Sequence, residues 1–462
     1  MTNYCIKFLV RAALAVPMAF PATLVAAVPA AANTSVSCSA ADLTNAINSA
    51  NAGSGDTLDL TPYCVYEYSV DSGDGENALP VITQPLTING NNATIRRATT
   101  ATTSFRIFQV QGTSLSMNNL TIMNGSIPFV GGGIRVDQDS TLNLDTVNVQ
   151  GNHAGLGGGG VWTAFQGVGV TITNSVFTDN SSNNQGGGIS APDAVTITGS
   201  TFSRNRARIG GAFSRSSNVV STSAVSISDS TFRNNSAAEA GGLHLLNRNG
   251  SINVTNTSIT DNRSTSGNGG GVQVESGGSG PISFIGGTIA GNTSTSSGNP
   301  VGGGLSLLGC GAGTVVTLNG TTVIDNQTIG AHGQGAGIYN ECPSSVLSLN
   351  GGANVSRNLA SGQYSQGGGI YAAAGTTTSV SGSLITGNKV TGTGSQAAGI
   401  YNTGGSFSLN AAPVINNTAP PAPAPGGIWT DTQFTTVTAS PITGNTPTNC
   451  LLSPVIVTGC TG

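Results

Sequence analysis

Charge is what this sequence has least of. Asp, Glu, Lys and Arg make up 7% of its 462 residues, against roughly 25% in ordinary globular domains. Lys and Arg number 15 against 19 Asp and Glu, a formal charge of −4. Without Lys7 and Arg11 of the leader described below it is −6, which gives no overall pull toward nucleic acid. Beyond residue 32 there is one lysine, Lys389, too little for lysine-assisted chemistry. No phosphate loop, nucleotide fingerprint or Ser-His-Asp set stands out. Long apolar runs are scarce too. The broad stretch Ala12 to Ala27 is broken by Pro17 and Pro21, and no second one follows. No transmembrane segment is expected in the mature chain.

The first residues read as an export signal. Lys7 and Arg11 give a positive start, the apolar stretch follows, and Ala30-Ala31-Ala32 offers a small-residue cleavage site. The expected division is a signal peptide over 1–32, an N-terminal cap with the first coils over 33–90, repeats over 91–445 and a C-terminal cap over 446–462. Six cysteines remain after cleavage, an even number that suits a secreted, extracellular or cell-surface protein. The economical pairs are Cys38–Cys64, Cys310–Cys342 and Cys450–Cys460, among the many connectivities six cysteines allow.

What the chain has in abundance is glycine, 68 residues, with Ser, Thr, Asn and evenly spread aliphatics. Three columns recur in register. One is a glycine step ending in an apolar residue, as in Gly133-Ile134, Gly188-Ile189, Gly242-Leu243, Gly304-Leu305 and Gly427-Ile428. The second is two apolar residues around a small polar one, as in Val170-Thr171-Ile172 and Leu347-Ser348-Leu349. Just after it come residues that tolerate the left-handed region: Asp145, Asn174, Gly199, Asp229, Asn256, Asn319, Asn350, Gly382 and Asn410. A one-residue corner is expected there. The third is an apolar residue followed three later by asparagine, as in Phe177 to Asn180, Phe202 to Asn205 and Ile442 to Asn445. Asn124 and Asn152 extend this column upstream, at a period of about 29 residues.

Alternation of apolar and polar residues turns one face inward. A single turn cannot bury that face, but turns stacked about 4.8 Å apart can. Asparagines in one slot of every turn then pair their amides along the axis. An antiparallel sandwich would not hold one asparagine in fixed phase. The expected fold is therefore all-β, a single right-handed parallel β-helix of about 11–12 coils with a short N-terminal capping helix. Asp42 to Asn51 puts Leu43, Ala46, Ile47 and Ala50 on one helical face to plug the open edge. Cys450 and Cys460 are expected to close the other end.

Phe177-Thr178-Asp179-Asn180 followed by Gly187-Gly188-Ile189 resembles the repeats of chlamydial-type polymorphic membrane proteins. The coil order looks like the pectate-lyase superfamily of right-handed β-helices. The stretch Ala41-Asp42-Leu43-Thr44-Asn45-Ala46-Ile47, then Pro85-Leu86-Thr87-Ile88-Asn89-Gly90, is similar to the leading segment of many exported bacterial β-helix proteins. The resemblance covers nearly the whole mature chain and speaks to fold more than to chemistry. Membrane-inserted polymorphic proteins carry a C-terminal barrel of roughly ten-residue alternating strands. None is read before Gly462, so self-insertion is not expected.

The residue after each glycine-step aliphatic is expected to face outward: Arg135, Trp162, Ser190, Ser214, His244, Gln273, Ser306, Tyr339, Tyr371, Tyr401 and Trp429. By resemblance, this strand borders the groove where pectate-lyase-type proteins bind sugar chains. Tyr339, Tyr371, Tyr401 and Trp429, with Trp162, are thus an expected platform for sugar rings. The competing reading is an aromatic ladder that only stabilises the sheet. Outward carboxylates nearby are Asp137, Glu275, Glu341 and Asp431. Glu275 and Glu341 share a column two coils apart, about 9.6 Å, near what an inverting glycosidase needs.

Seven arginines, Arg204, Arg206, Arg208, Arg215, Arg233, Arg248 and Arg263, fall in three coils. Arg204 is expected to pair with Asp179, while Arg206, Arg208 and Arg263 either meet an anionic polymer or stay solvated. His153 and His332 lie many coils apart, and no Asp set clusters for Ca²⁺, so neither metal nor cofactor is expected. Mixed Thr, Ser and Asn in the outward slot of the second column argue against an ice-binding face. The function expected is a non-catalytic binding module, adhesin-like or polysaccharide-associated, with a polysaccharide or a host or cell-surface glycan as partner. The alternatives are a polysaccharide lyase or glycoside hydrolase acting in the groove, and a purely structural surface protein.

Overall fold

The computed structural model describes residues 33–215, 222–421, 424–432 and 436–462. The signal peptide expected over 1–32 lies outside them. The described chain is a right-handed parallel β-helix of about 13 turns. A glycine-step face has 12 strands, from Phe108–Val110 to Ile428–Thr430. A broad face of 26 strands runs in two ladders, and a narrow face has 10, from Ser126–Ile127 to Lys389–Thr391. Each full turn visits the glycine-step face, the two broad ladders and the narrow face in that order. Inward residues match in register, so Val170, Val195 and Val225 stack, as do the rings of Phe177, Phe202 and Phe232 at 4.6 and 4.7 Å.

The turn count exceeds the 11–12 expected. The first coils carry neither a glycine step nor a ladder asparagine, so they do not register in the repeat. Leu86–Arg97 is one 12-residue strand that serves both broad ladders at once. Corners at Asn174, Gly199, Asp229, Asn256 and Gly382 hold φ between 48° and 60°, as expected. After Asp145, Asn319, Asn350 and Asn410 the corner falls one residue later, on Thr146, Gly320, Gly351 and Ala411. There Asp145, Asn319 and Asn410 still pair with the next strand, and the chain turns only after that pairing ends.

Eleven asparagines, from Asn152 to Asn445, form one buried ladder. Each Oδ1 beyond the first accepts both the backbone N–H and the Nδ2 of the asparagine one coil earlier, as Asn292 does from Asn262. Asn449 Oδ1 takes the last pair of donors. Asn124 is not a rung. It holds the corner at φ 62°, and Gly125 in the rung position donates its N–H to Asn152 Oδ1.

The ends are closed as expected. Helix α1, Ala40–Ala52, starts at Ser39, whose side chain accepts from Asp42 N, and buries Leu43, Ile47 and Ala50. Disulfides join Cys38–Cys64, Cys310–Cys342 and Cys450–Cys460, with Cα separations of 5.5, 4.8 and 6.3 Å, all within bridging range.

Candidate functional site

Side chains that follow the glycine-step aliphatics leave the coil interior, yet most are not in solvent. Four residues earlier the chain turns back over them. A Cβ on Gly302 would lie 2.6 Å from Ser306 Cβ, and one on Gly210 2.9 Å from Ser214 Cβ. The residue before each such turn joins a parallel column of its own, from Val130, Gly157, Gln185, Ile209 and Glu239 through Asn268 and Val301 to Gln334, Gln366 and Gln396. This column roofs the outward one.

Under the roof, Tyr339, Tyr371 and Tyr401 are 6–8% exposed. Their rings stack at 5.1 and 5.3 Å, and Trp429 follows at 4.3 Å. Val301 and Ala397 pack against the stack. Burial pushes all three phenols well above their usual range, and Tyr339 Oη donates to Glu341 at 2.9 Å. Both faces of Tyr371 and of Tyr401 are covered by neighbouring rings, so neither offers a face to a sugar. Tyr339, Tyr371 and Tyr401, expected as part of a platform, form a packed ladder because the glycine step folds over them. Trp429, at the end of the stack, and Trp162 are the two partly buried rings among the five aromatics.

Glu275, Leu308 and Glu341 do share one column. Glu275 accepts from Gln273 Nε2 at 2.7 Å and lies 3.6 Å from His244 Nε2. His244 Nδ1 is 3.3 Å from Ser214 Oγ, so a Ser–His–Glu set unseen in the sequence spans three coils. Ser214 is fully buried, and no substrate reaches its hydroxyl. The His244 imidazole holds the Glu275 carboxyl below its ordinary range, the wrong direction for a general acid at neutral pH.

That shift has a stability consequence. A carboxyl held low in the fold stabilises it above the unfolded value, about 4.3 for Glu, and loses that contribution as pH falls through the folded value. Asp59, bonded by Asn89, and Asp179, bonded by Arg204, shift the same way. The urea midpoint is therefore expected to hold between about pH 7 and 5 and to drop below about pH 4. Glu275→Gln should shrink the drop; an identical drop in that variant would disprove the Glu275 contribution.

Beside Trp162 the roof residue is a glycine. Gly157 has no side chain to lay over Trp162, whose Cδ1 lies 3.3 Å from where a Cβ would stand. Beside the half-buried indole is a cleft of about 540 Å³ lined by Gln109, Gln111, Arg135, Asp137 and Gln138. Asp137 accepts from Arg135 Nε at 2.7 Å and from Gln109 Nε2 at 2.6 Å. The Arg135 guanidinium stands 5.9 Å from the Trp162 ring centre, and its Nη1 is 3.8 Å from Glu76. Beneath it Arg106, fully buried, donates to Glu76 and Asn77 at 2.9 and 2.8 Å. Phe129, Leu156 and Phe165, each about half exposed, lie on the loops before and after the cleft strands. Arg135, Asp137 and Trp162 were legible as outward residues. Glu76, Arg106 and Gln109 were not, since they precede the repeat.

Among the described residues no group of three His, Cys, Asp or Glu side chains could hold a metal ion, and no helix is long and apolar enough to cross a membrane. The chain matches no family model and no curated protein sequence. Among solved structures it is similar to the A-module of the mannuronan C-5 epimerase AlgE6 of Azotobacter vinelandii. Identity is 15% and the TM-score 0.35, over 87% of this chain and 94% of that one. A likeness of that degree assigns no activity.

Proposed function

We propose that this chain is an exported β-helix that binds a polysaccharide, without cleaving it, in the cleft over Trp162. Residues 1–32 serve as its export signal, and the mature protein acts outside the cell or on its surface. The observation that carries the reading is the cleft itself, where a half-buried indole stands among oriented polar groups. An aromatic ring packs against the C–H face of a pyranose, while amides and carboxylates bond its hydroxyls. Arg106 and Arg135 balance Glu76 and Asp137, so the cleft suits a neutral sugar. Both carboxylates are already paired with guanidinium groups.

The test is retardation of the mature protein in gels that contain neutral or acidic polysaccharides, with chain length checked afterwards. Wild type is expected to be retarded by a neutral polysaccharide that stays full length. Trp162→Ala should weaken this about tenfold. Gly157→Gln, which sets a side chain against Trp162 Cδ1, should weaken it as well by displacing the indole. Tyr371→Ser should leave it unchanged. Shortened chains would make the protein an enzyme and turn attention to Glu275 and Glu341. Retardation by none of the polysaccharides would overturn the proposal.

A further inference from the structure

A second surface lies on the narrow face. Strands Arg206–Ile209, Ser236–Glu239 and Arg263–Asn268 pair in register, with Arg206, Ser236 and Arg263 in one column. Arg206, Arg208 and Arg263 are exposed. The middle strand places Ser236 and Ala238 between them, with Glu239 at its end beside Arg208. Guanidinium groups two coils apart, about 9.6 Å, thus flank a shallow saddle of small side chains. Around the asparagine corner stand Arg204 and Arg233. Arg204 is held on Asp179 by two bonds of 2.8 Å. Arg208 donates to Asn184 and lies 3.8 Å from Glu239. Arg206, Arg233 and Arg263 have no hydrogen bond or ion pair among the described residues, and Asp229, bonded by Asn256, and Asp261 are the other carboxylates close by in sequence. Two unpaired cations thus share a column, with a third around the corner from them, on a chain of net charge −4.

We infer that this face binds a linear acidic polysaccharide, independently of the cleft over Trp162. A guanidinium fork grips a carboxylate or sulfate through two parallel bonds. Cations at coil spacing suit a polymer with one charge every sugar or two. Duplex DNA presents one charge per about 1.7 Å and rewards a far denser cation array. None of the three strands carries an aromatic residue to stack a base, and the saddle has no large apolar group to enter a bilayer.

The experiment compares wild type, the triple variant Arg206→Ser/Arg233→Ser/Arg263→Ser, and Trp162→Ala. Each is passed over heparin, polygalacturonate and dextran supports at low salt. Wild type is expected to be held by heparin or polygalacturonate, according to whether sulfate or carboxylate fits better, and released by salt. The triple variant should lose that retention with an unchanged unfolding midpoint, because the three side chains are exposed. Trp162→Ala should keep it, which separates this surface from the cleft. Equal retention of the triple variant, no retention of wild type on either acidic support, or tighter binding to duplex DNA or anionic vesicles would overturn the inference.

Discussion

Replacing Asn262 by alanine is expected to destabilise the protein by about 4–6 kcal/mol, because it leaves several buried polar groups without partners at once. Asn262 Nδ2 donates to Phe232 O at 2.9 Å and to Asn292 Oδ1 at 3.0 Å. Its Oδ1 accepts Asn235 N and Nδ2 at 3.0 and 2.9 Å. Alanine leaves both Asn235 donors unpaired in a dry interior, at about 1–3 kcal/mol each, removes the second donor to the Phe232 carbonyl and leaves a cavity. Some relaxation of the coil keeps the total below the simple sum. Asn253→Ala, on the exposed face one strand earlier, should change stability by no more than about 0.5 kcal/mol. The sharpest readout is hydrogen exchange at the Asn235 amide, whose bond to Asn262 Oδ1 is lost. Unchanged protection there would show that the ladder is not what holds these coils together.

The ladder and the coil were legible because a solenoid writes each structural slot into the sequence once per turn. Phase errors were small and had a physical source. Asn124 was read as a rung because asparagine is favoured both at the rung and at the left-handed corner before it, where Asp179 and Asp261 also stand. The covering of the outward column was not legible. A repeat tells which residues share a slot, not what lies over it. The roof column holds Val130, Gly157, Gln185, Ile209 and Glu239 in turn, a series with no chemical pattern. Gly157 reads as one more glycine in a run of four, although it is the roof residue beside Trp162. Ser214, His244 and Glu275 meet only because Glu275 lies two residues beyond the outward slot and its side chain reaches back one coil.

Gly270→Ala is the second large effect expected, and here the cause is space and not backbone freedom. A Cβ at Gly270 would stand 2.4 Å from Gly303 O and 2.6 Å from the Thr293 carbonyl carbon. Both are backbone atoms of the following coil, so no rotamer relieves the clash. The coils are pinned at strand spacing by Gly270 N donating to Gly302 O and by the Asn262–Asn292 rung beside it. The two turns must part or the local chain must shift, and interiors packed this tightly resist either. A loss of about 3 kcal/mol or more is expected. Gly298→Ala, in an exposed loop where the nearest atom to a Cβ is Ser296 Oγ at 3.7 Å, should be neutral. Because each coil touches only its neighbours, the damage should stay local. Exchange protection should fall at Asn262 and Asn292. The Trp162 cleft, separated from this turn by the strands at Ile189, Phe213 and Leu243, should still retain the polysaccharide. Loss of both together would mean that the solenoid unfolds as one cooperative unit and that no coil is independent of the rest.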